Sequence, residues 1–180
     1  IKIGLGVFRL GESLGIDRIP HVKKQALPAY DPRSVKAMGI TFITSPMGAD
    51  HTAGDVLGKK THSPHNKVNL SKKKQLISYI FDSMGLCYFL GTSERHLEII
   101  AQLMQAKYGD IMSFQKNEWL DWARIGLLRE RDFNTQAGLA SIDSLPQFML
   151  DKSLENNYNW EVEEDTLLNY WKDLEKIPKS

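Results

Sequence analysis

Cysteine is almost absent from this 180-residue chain: Cys87 stands alone. No internal disulfide can form, and a lone thiol suits a reducing compartment. An excess of charge is absent too, because 23 basic and 22 acidic side chains leave a net charge of +1. That balance argues against nucleic acid or an anionic membrane as a partner. No apolar run approaches the ~20 residues a membrane helix needs. Residues 1–15 lack the basic start, apolar centre and small-residue cleavage site of a secretion signal. Alternating apolar and polar positions are nearly missing, and no glycine-rich phosphate loop, serine–histidine–acid triad or paired-carboxylate signature stands out. Ile1 is not an initiator methionine, so the expectation is a cytoplasmic piece processed or cut from something longer.

What is present is average globular composition, 42% hydrophobic and 25% charged, enough for one ordinary domain with a core. Leu5, Phe8, Leu10 and Leu14 have helical spacing and stop at Gly15. Residues 16–30 hold two prolines and a basic cluster, and read as extended connection. Asp31-Pro32 reads as a helix start, with Asp31 as cap, leading into Val35, Met38, Phe42 and Ile43. Residues 46–69 form the longest loop-like stretch, and loops of that length are usually functional or mobile.

The clearest helix runs from about Leu70 to Met84, with Leu76, Ile77, Ile80, Phe81 and Met84 on one face. Ser93 caps a second, closed by Gly109. A third spans about Phe114 to Arg131 and is expected to bury Trp119, Trp122, Ala123 and Leu127. A short segment at Pro146–Leu150 and a last helix with Val162, Leu167, Leu168, Trp171 and Leu174 follow. The expected fold class is all-α and multihelical.

Chemistry-bearing residues are few, and each has an ordinary reading beside the functional one. Cys87 is either a buried structural thiol or a metal ligand. Asp82 sits in the last turn of its helix, where the dipole disfavours an anion and a partner such as ligand N–H groups is called for. Gly85 lets the backbone turn close to something bulky. His51, in Gly48-Ala49-Asp50-His51, is an idle loop histidine or a proton carrier flanked by small residues. His62 and His65 with Asp55 suggest zinc, but the ligand count falls short of four. His96 reads as helix surface, Lys72-Lys73-Lys74 as a solvated helix start, and the tryptophans as core or domain contact.

Several segments together resemble one family, the tungsten-containing aldehyde:ferredoxin oxidoreductases. Leu27-Pro28-Ala29-Tyr30-Asp31-Pro32-Arg33 resembles the segment leading into that family's C-terminal helical region. Met38-Gly39-Ile40 and Thr44-Ser45 follow at the right distance. Gly48-Ala49-Asp50-His51 is similar to the segment with an active-site histidine near the metal. Asp82-Ser83-Met84-Gly85-Leu86-Cys87 is similar to the second of two pterin-binding motifs. Phe133-Asn134 and Asp143-Ser144-Leu145-Pro146 are similar to the end of these enzymes.

The resemblance implies a division into residues 1–20, the tail of a preceding helical domain, and 21–180, the C-terminal helical domain. It implies that Asp82 binds a pterin ring and that Leu86 and Tyr88 add backbone contacts. Gly48 would lie at the pterin's phosphate end, His51 would exchange a proton beside the metal, and Cys87 would be the last ligand of a 4Fe-4S cluster. The implied cofactors are a bis-pterin tungsten (or molybdenum) centre and that cluster. The implied reaction is oxidation of an aldehyde to a carboxylic acid with electrons passed to ferredoxin. Family members usually carry basic residues where Met47 and Ala53 stand, and these hold charged parts of the cofactor. The stretch from His51 to Asp82 is shorter than in well-known members.

One cysteine cannot hold a four-iron cluster that takes four thiolates, and one pterin motif is half of two. The expectation is therefore a fragment inactive alone, whose partners include the missing N-terminal and middle domains. Two alternatives are a related tungstopterin reductase acting on aromatic thioesters and a non-enzymatic helical interaction module.

Overall fold

The helical spacing is realised as seven α-helices in the computed structural model, which describes residues 2–56, 64–109, 115–139 and 144–176. They are α1 (Val7–Leu14), α2 (Lys36–Thr44), α3 (Lys67–Ser83), α4 (Glu94–Tyr108), α5 (Lys116–Gln136), α6 (Gln147–Asp151) and α7 (Glu164–Glu175). A two-stranded antiparallel hairpin is the only sheet among the described residues, with β1 (His21–Val22) paired to β2 (Gln25–Ala26). It falls where an extended connection is expected. Its turn residues Lys23 and Lys24 both have positive φ, 51° and 63°, as a primed two-residue turn demands.

Helix α2 is apolar around most of its circumference, and every one of its nine residues is buried. An all-round apolar helix can only be a core element. It carries a cluster with Met38, Ile40, Phe42 and Ile43, packed by Val22, Val56, Leu145, Met149 and Leu167. Helix α3 lies against α2, α5 and α7. Its Ile77, Ile80 and Phe81 meet Leu97 and Ile100 of α4 and Trp119 and Ala123 of α5 in a second cluster. Leu127 of α5 joins Tyr170, Trp171 and Leu174 of α7 in a third. Helix α3 thus touches all three clusters, with Val68 packed on the first and Val68, Leu76 and Tyr79 on the third.

Several expectations change on this scaffold. Helix α2 starts at Lys36, with Val35 at the capping position and no side-chain cap. Asp31 instead grips Arg33, accepting from its backbone N at 2.9 Å, its Nε at 3.0 Å and its Nη2 at 2.7 Å. Arg33 is 4% exposed and also donates to the Lys152 carbonyl. A buried guanidinium needs its carboxylate more than a helix end needs a cap. Burial pulls the Asp31 carboxyl upward, yet hydrogen bonds and charge from Arg33 prevail and hold it below the usual range.

The three lysines are not merely solvated. Lys72 pairs with Asp173 at 3.0 Å, Lys73 pairs with Glu94, and Lys74 donates to the Thr92 carbonyl at 2.8 Å. They fasten α3 to α7, to α4 and to the preceding turn. His96 is no plain surface residue: its ring meets Phe81 edge-on at 6.3 Å, and Ser93 bonds its Nδ1 instead of capping α4. Trp122, expected inside, is 46% exposed, and Leu168 of the last helix is 48% exposed. His62 lies outside the described residues.

Core and surface should separate cleanly under mutation. Phe81→Ala, at a position 1% exposed, is expected to cost about 3–5 kcal/mol. Leu168→Ala should cost under ~1 kcal/mol, as surface changes usually do. Urea denaturation of both variants measures this, and equal losses would contradict the assignment of α3 to the core.

Candidate functional site

Helix α3 ends in a left-handed turn built from its own sequence. Gly85 has φ 65°, its N–H bonds the Asp82 carbonyl, and the Leu86 N–H reaches back to Phe81. This pair of bonds satisfies the last carbonyls of the helix and needs a residue that tolerates positive φ. The chain then leaves along Leu86 and Cys87 into a short 3-10 turn, Tyr88–Leu90. The Cys87 thiol is free and exposed. Phe89 is 96% exposed and Leu90 is also open. Burial pushes the Tyr88 phenol upward; a hydrogen bond from Thr92 opposes this, and the Asp55 charge adds to it.

A second segment approaches the same helix end. Gly48 is buried at φ 77°, over Lys23 and Gln25 of the hairpin. Asp50 accepts from the N–H and hydroxyl of Thr52, both at 2.8 Å, which shapes the 3-10 turn His51–Ala53. The His51 ring stays partly open. It lies 5.5 Å from the Tyr30 ring, and its Nδ1 is 3.9 Å from Asp50 Oδ1, too far for a hydrogen bond. At Gly54 the turn presses on α3 so closely that a Cβ would sit 2.9 Å from Gln75 Cγ and 3.0 Å from its backbone N. Only glycine lets the two backbones meet.

The two segments therefore converge. Partial burial pushes the Asp82 carboxyl above the usual range, and the Asp50 carboxylate pushes it further. Glu130 of α5 is raised as well, by burial first and then by Asp82. A cavity of about 260 Å³ opens between them, lined among others by Met47, Ala53, Gln75, Asp82 and Glu130. No basic side chain lines it among the described residues. Cys87 and Tyr88 lie beyond, on the exposed turn. Among the described residues no group of three metal-ligating side chains is present, and no helix is long and apolar enough to cross a membrane.

Two participants escaped the reading by residue pattern. Glu130 gives no sequence signal, since it follows the core position Leu127 on an otherwise charged helix face. Gln75 gives little more, because it directly follows the polar run Ser71-Lys72-Lys73-Lys74, yet it lines the cavity.

The aldehyde ferredoxin oxidoreductase family, in its domains 2 and 3, matches residues 2–173. The chain belongs to this family. It is 31% identical over 171 residues to the tungsten-containing aldehyde ferredoxin oxidoreductase of Pyrococcus furiosus, covering 88% of this chain and 28% of that protein. The enzyme of the same description from Pyrococcus horikoshii is 28% identical over 167 residues, covering 86% and 27%. That from Thermococcus kodakarensis is 28% identical over 171 residues, covering 88% and 28%. The chain therefore spans little more than a quarter of the relatives' length. No solved structure matches it. Its mostly helical architecture and its membership in an oxidoreductase family agree with the expectations from sequence.

The charge at the site has a measurable sign. A carboxyl raised in the folded state disfavours folding above its unfolded pKa of ~3.9, and that penalty vanishes when both states are protonated. Asp82→Asn should therefore stabilise this family member near pH 7. The gain should shrink as pH falls and disappear below about pH 4. Thermal melts across that range check it, and a variant less stable at pH 7 would reverse the sign.

Proposed function

We propose that the chain is the part of a tungstopterin oxidoreductase that completes the cofactor site from its C-terminal side. The parent enzyme would oxidise an aldehyde to a carboxylic acid and pass electrons through a 4Fe-4S cluster to ferredoxin. The observation carrying this reading is the convergence of Asp50-His51 on Asp82, with the free Cys87 thiol five residues further along.

The side chains suit the groups assigned to them. Asp82 has no side-chain hydrogen bond among the described residues, and its raised carboxyl favours a ligand that presents N–H donors. A pterin ring edge is such a ligand. Leu86 and Tyr88 follow the left-handed turn at Gly85; the Leu86 N–H is bonded to the Phe81 carbonyl, so the Leu86 carbonyl is the group on offer. Gly48 fits less well, because the Lys23 and Gln25 side chains cover it and its N–H and carbonyl already bond Ser45 and Asp50. Cys87, exposed and unpaired in any disulfide, supplies one thiolate of the four a cluster takes. The fit is poorer for the cofactor's anionic end, because Met47 and Ala53 contribute no charge and the cavity is acidic.

Bound, the tungstopterin supplies the two-electron redox chemistry. The residues here do the rest. Asp82 orients the ring by accepting its hydrogen bonds. His51, partly open beside Tyr30 and Asp50, would take or give a proton as a general acid–base group. Cys87, attached through Leu86 to the turn that carries Asp82, would hold the cluster by a residue close in the chain to the one that binds the pterin.

The missing thiolates and the missing first pterin motif lie in the rest of the enzyme. Elemental analysis of the purified 180-residue chain should find neither iron nor tungsten in stoichiometric amount. In the complete enzyme, Cys87→Ser should remove the cluster's visible absorbance and iron while tungsten is retained. Stoichiometric metal on the chain alone, or a full cluster in the variant, would refute the assignment.

A further inference from the structure

Helices α3 and α5 cross where Tyr79 lies over Gly126, so tightly that no Cβ fits there. Beside that crossing they splay and leave a second cavity of about 370 Å³. That volume lies within the range of about 300–1,000 Å³ typical of small-molecule sites. Its walls include Tyr79, Met84, Trp119, Trp122 and Ile125, with Arg129 also lining it. It shares Tyr79 and Ser83 with the acidic cavity at Asp82 but holds none of that cavity's carboxylates.

Two features set this cavity apart from ordinary helix packing. Trp119 and Trp122 lie 6.1 Å apart with their planes tilted by 34°, and one of these large rings is left nearly half open to water. Exposing an indole forfeits much of the stabilisation its burial would bring. Arg129 is the second feature. Neighbouring cations are taken: Arg124 by Asp121, Arg131 by Glu175 and Lys72 by Asp173. Among the described residues nothing pairs with Arg129, which lines this cavity and the adjoining groove near Asn134.

We propose that this cavity binds a small aromatic monocarboxylate, its ring against the indoles and its carboxylate on Arg129. An apolar, aromatic wall selects a flat apolar body. A single planar guanidinium matches one carboxylate through two parallel hydrogen bonds. A polyanion would find only one cation, and a cationic ligand would meet Arg129 instead of a carboxylate. The competing occupant is a segment of a further domain of the parent enzyme, which would use the same apolar walls without requiring a free acid. The site stands on the cavity alone: failure of the tungsten assignment leaves it intact, and its failure leaves that assignment intact.

The test is tryptophan fluorescence of the whole chain titrated with phenylacetate and, separately, with its neutral counterpart phenylacetamide. Phenylacetate should give a saturable change, and phenylacetamide should bind at least about tenfold more weakly, as loss of a charge-assisted hydrogen bond implies. Arg129→Gln should weaken phenylacetate by a similar factor, and Trp122→Ala should weaken both ligands. Both positions are exposed, so the variants should keep the parent circular dichroism spectrum. No saturable change, equal affinity for acid and amide, or unchanged binding in Arg129→Gln would each overturn the proposal.

Discussion

A chain of buried hydrogen bonds between α2 and α3 decides where the other parts of this molecule sit. Helix α2 is wholly enclosed, yet it brings the hydroxyls of Thr41 and Thr44 into the core. A buried hydroxyl without a partner costs about 1–3 kcal/mol, so partners must come from the facing helix. Gln75 Nε2 donates to Thr44 at 2.9 Å and to Ser71 at 3.1 Å. The Ser71 and Thr41 hydroxyls are 2.7 Å apart, and Thr41 reaches the Gly54 carbonyl at 3.2 Å. Thr44 in turn donates to the Ile40 carbonyl. Tyr170 stands beside the network from α7 with its buried hydroxyl unpaired among the described residues, and burial pushes that phenol far up. Sliding α3 by one turn would orphan several of these groups at once, so the register between α2 and α3 is fixed.

The functional consequence comes through Gly54. Its carbonyl is the end of the network, and the same residue touches α3 at Gln75. The turn carrying Asp50 and His51 is thereby held against a helix whose far end carries Asp82. Three carboxylates, Asp50, Asp82 and Glu130, then lie near one another: Asp82 is raised by burial and by Asp50, and Glu130 by burial and by Asp82. Of the basic residues flanking Glu130, Arg131 is taken by Glu175 and Arg129 lines the neighbouring cavity instead. A fold optimised only for stability would not concentrate like charges at a helix C-terminus, where the dipole already disfavours them. The acidic concentration is what singles this region out as a site.

Sequence pattern reached the long helices because their apolar spacing repeats over several turns. The range expected for α3, residues 70–84, differs from Lys67–Ser83 mainly at its polar start. Patterns failed where a distant partner overruled a local preference. Asp31 was free to cap a helix until Arg33, anchored on the Lys152 carbonyl, claimed it. The lysine triplet looked solvated because Asp173 and Glu94 lie far away along the chain. Trp122 sits one helical turn from Trp119 and shares its spacing, but it falls where α3 and α5 splay apart. At the site, the segments Gly48–His51 and Asp82–Cys87 were visible as segments. Their meeting, and the approach of Glu130, depend on helix packing that no local spacing encodes.

The central claim is that the Gln75 network holds the Asp50–His51 turn against the end of α3. Its most direct test is an NMR titration of the Asp82 carboxyl in the parent chain and in Gln75→Leu, with the amide spectrum confirming that the helical core persists. If the network holds the turn, the substitution frees it, Asp50 moves away, and the Asp82 pKa drops toward the ordinary carboxylate value. An Asp82 carboxyl that titrates identically in both proteins would contradict the account.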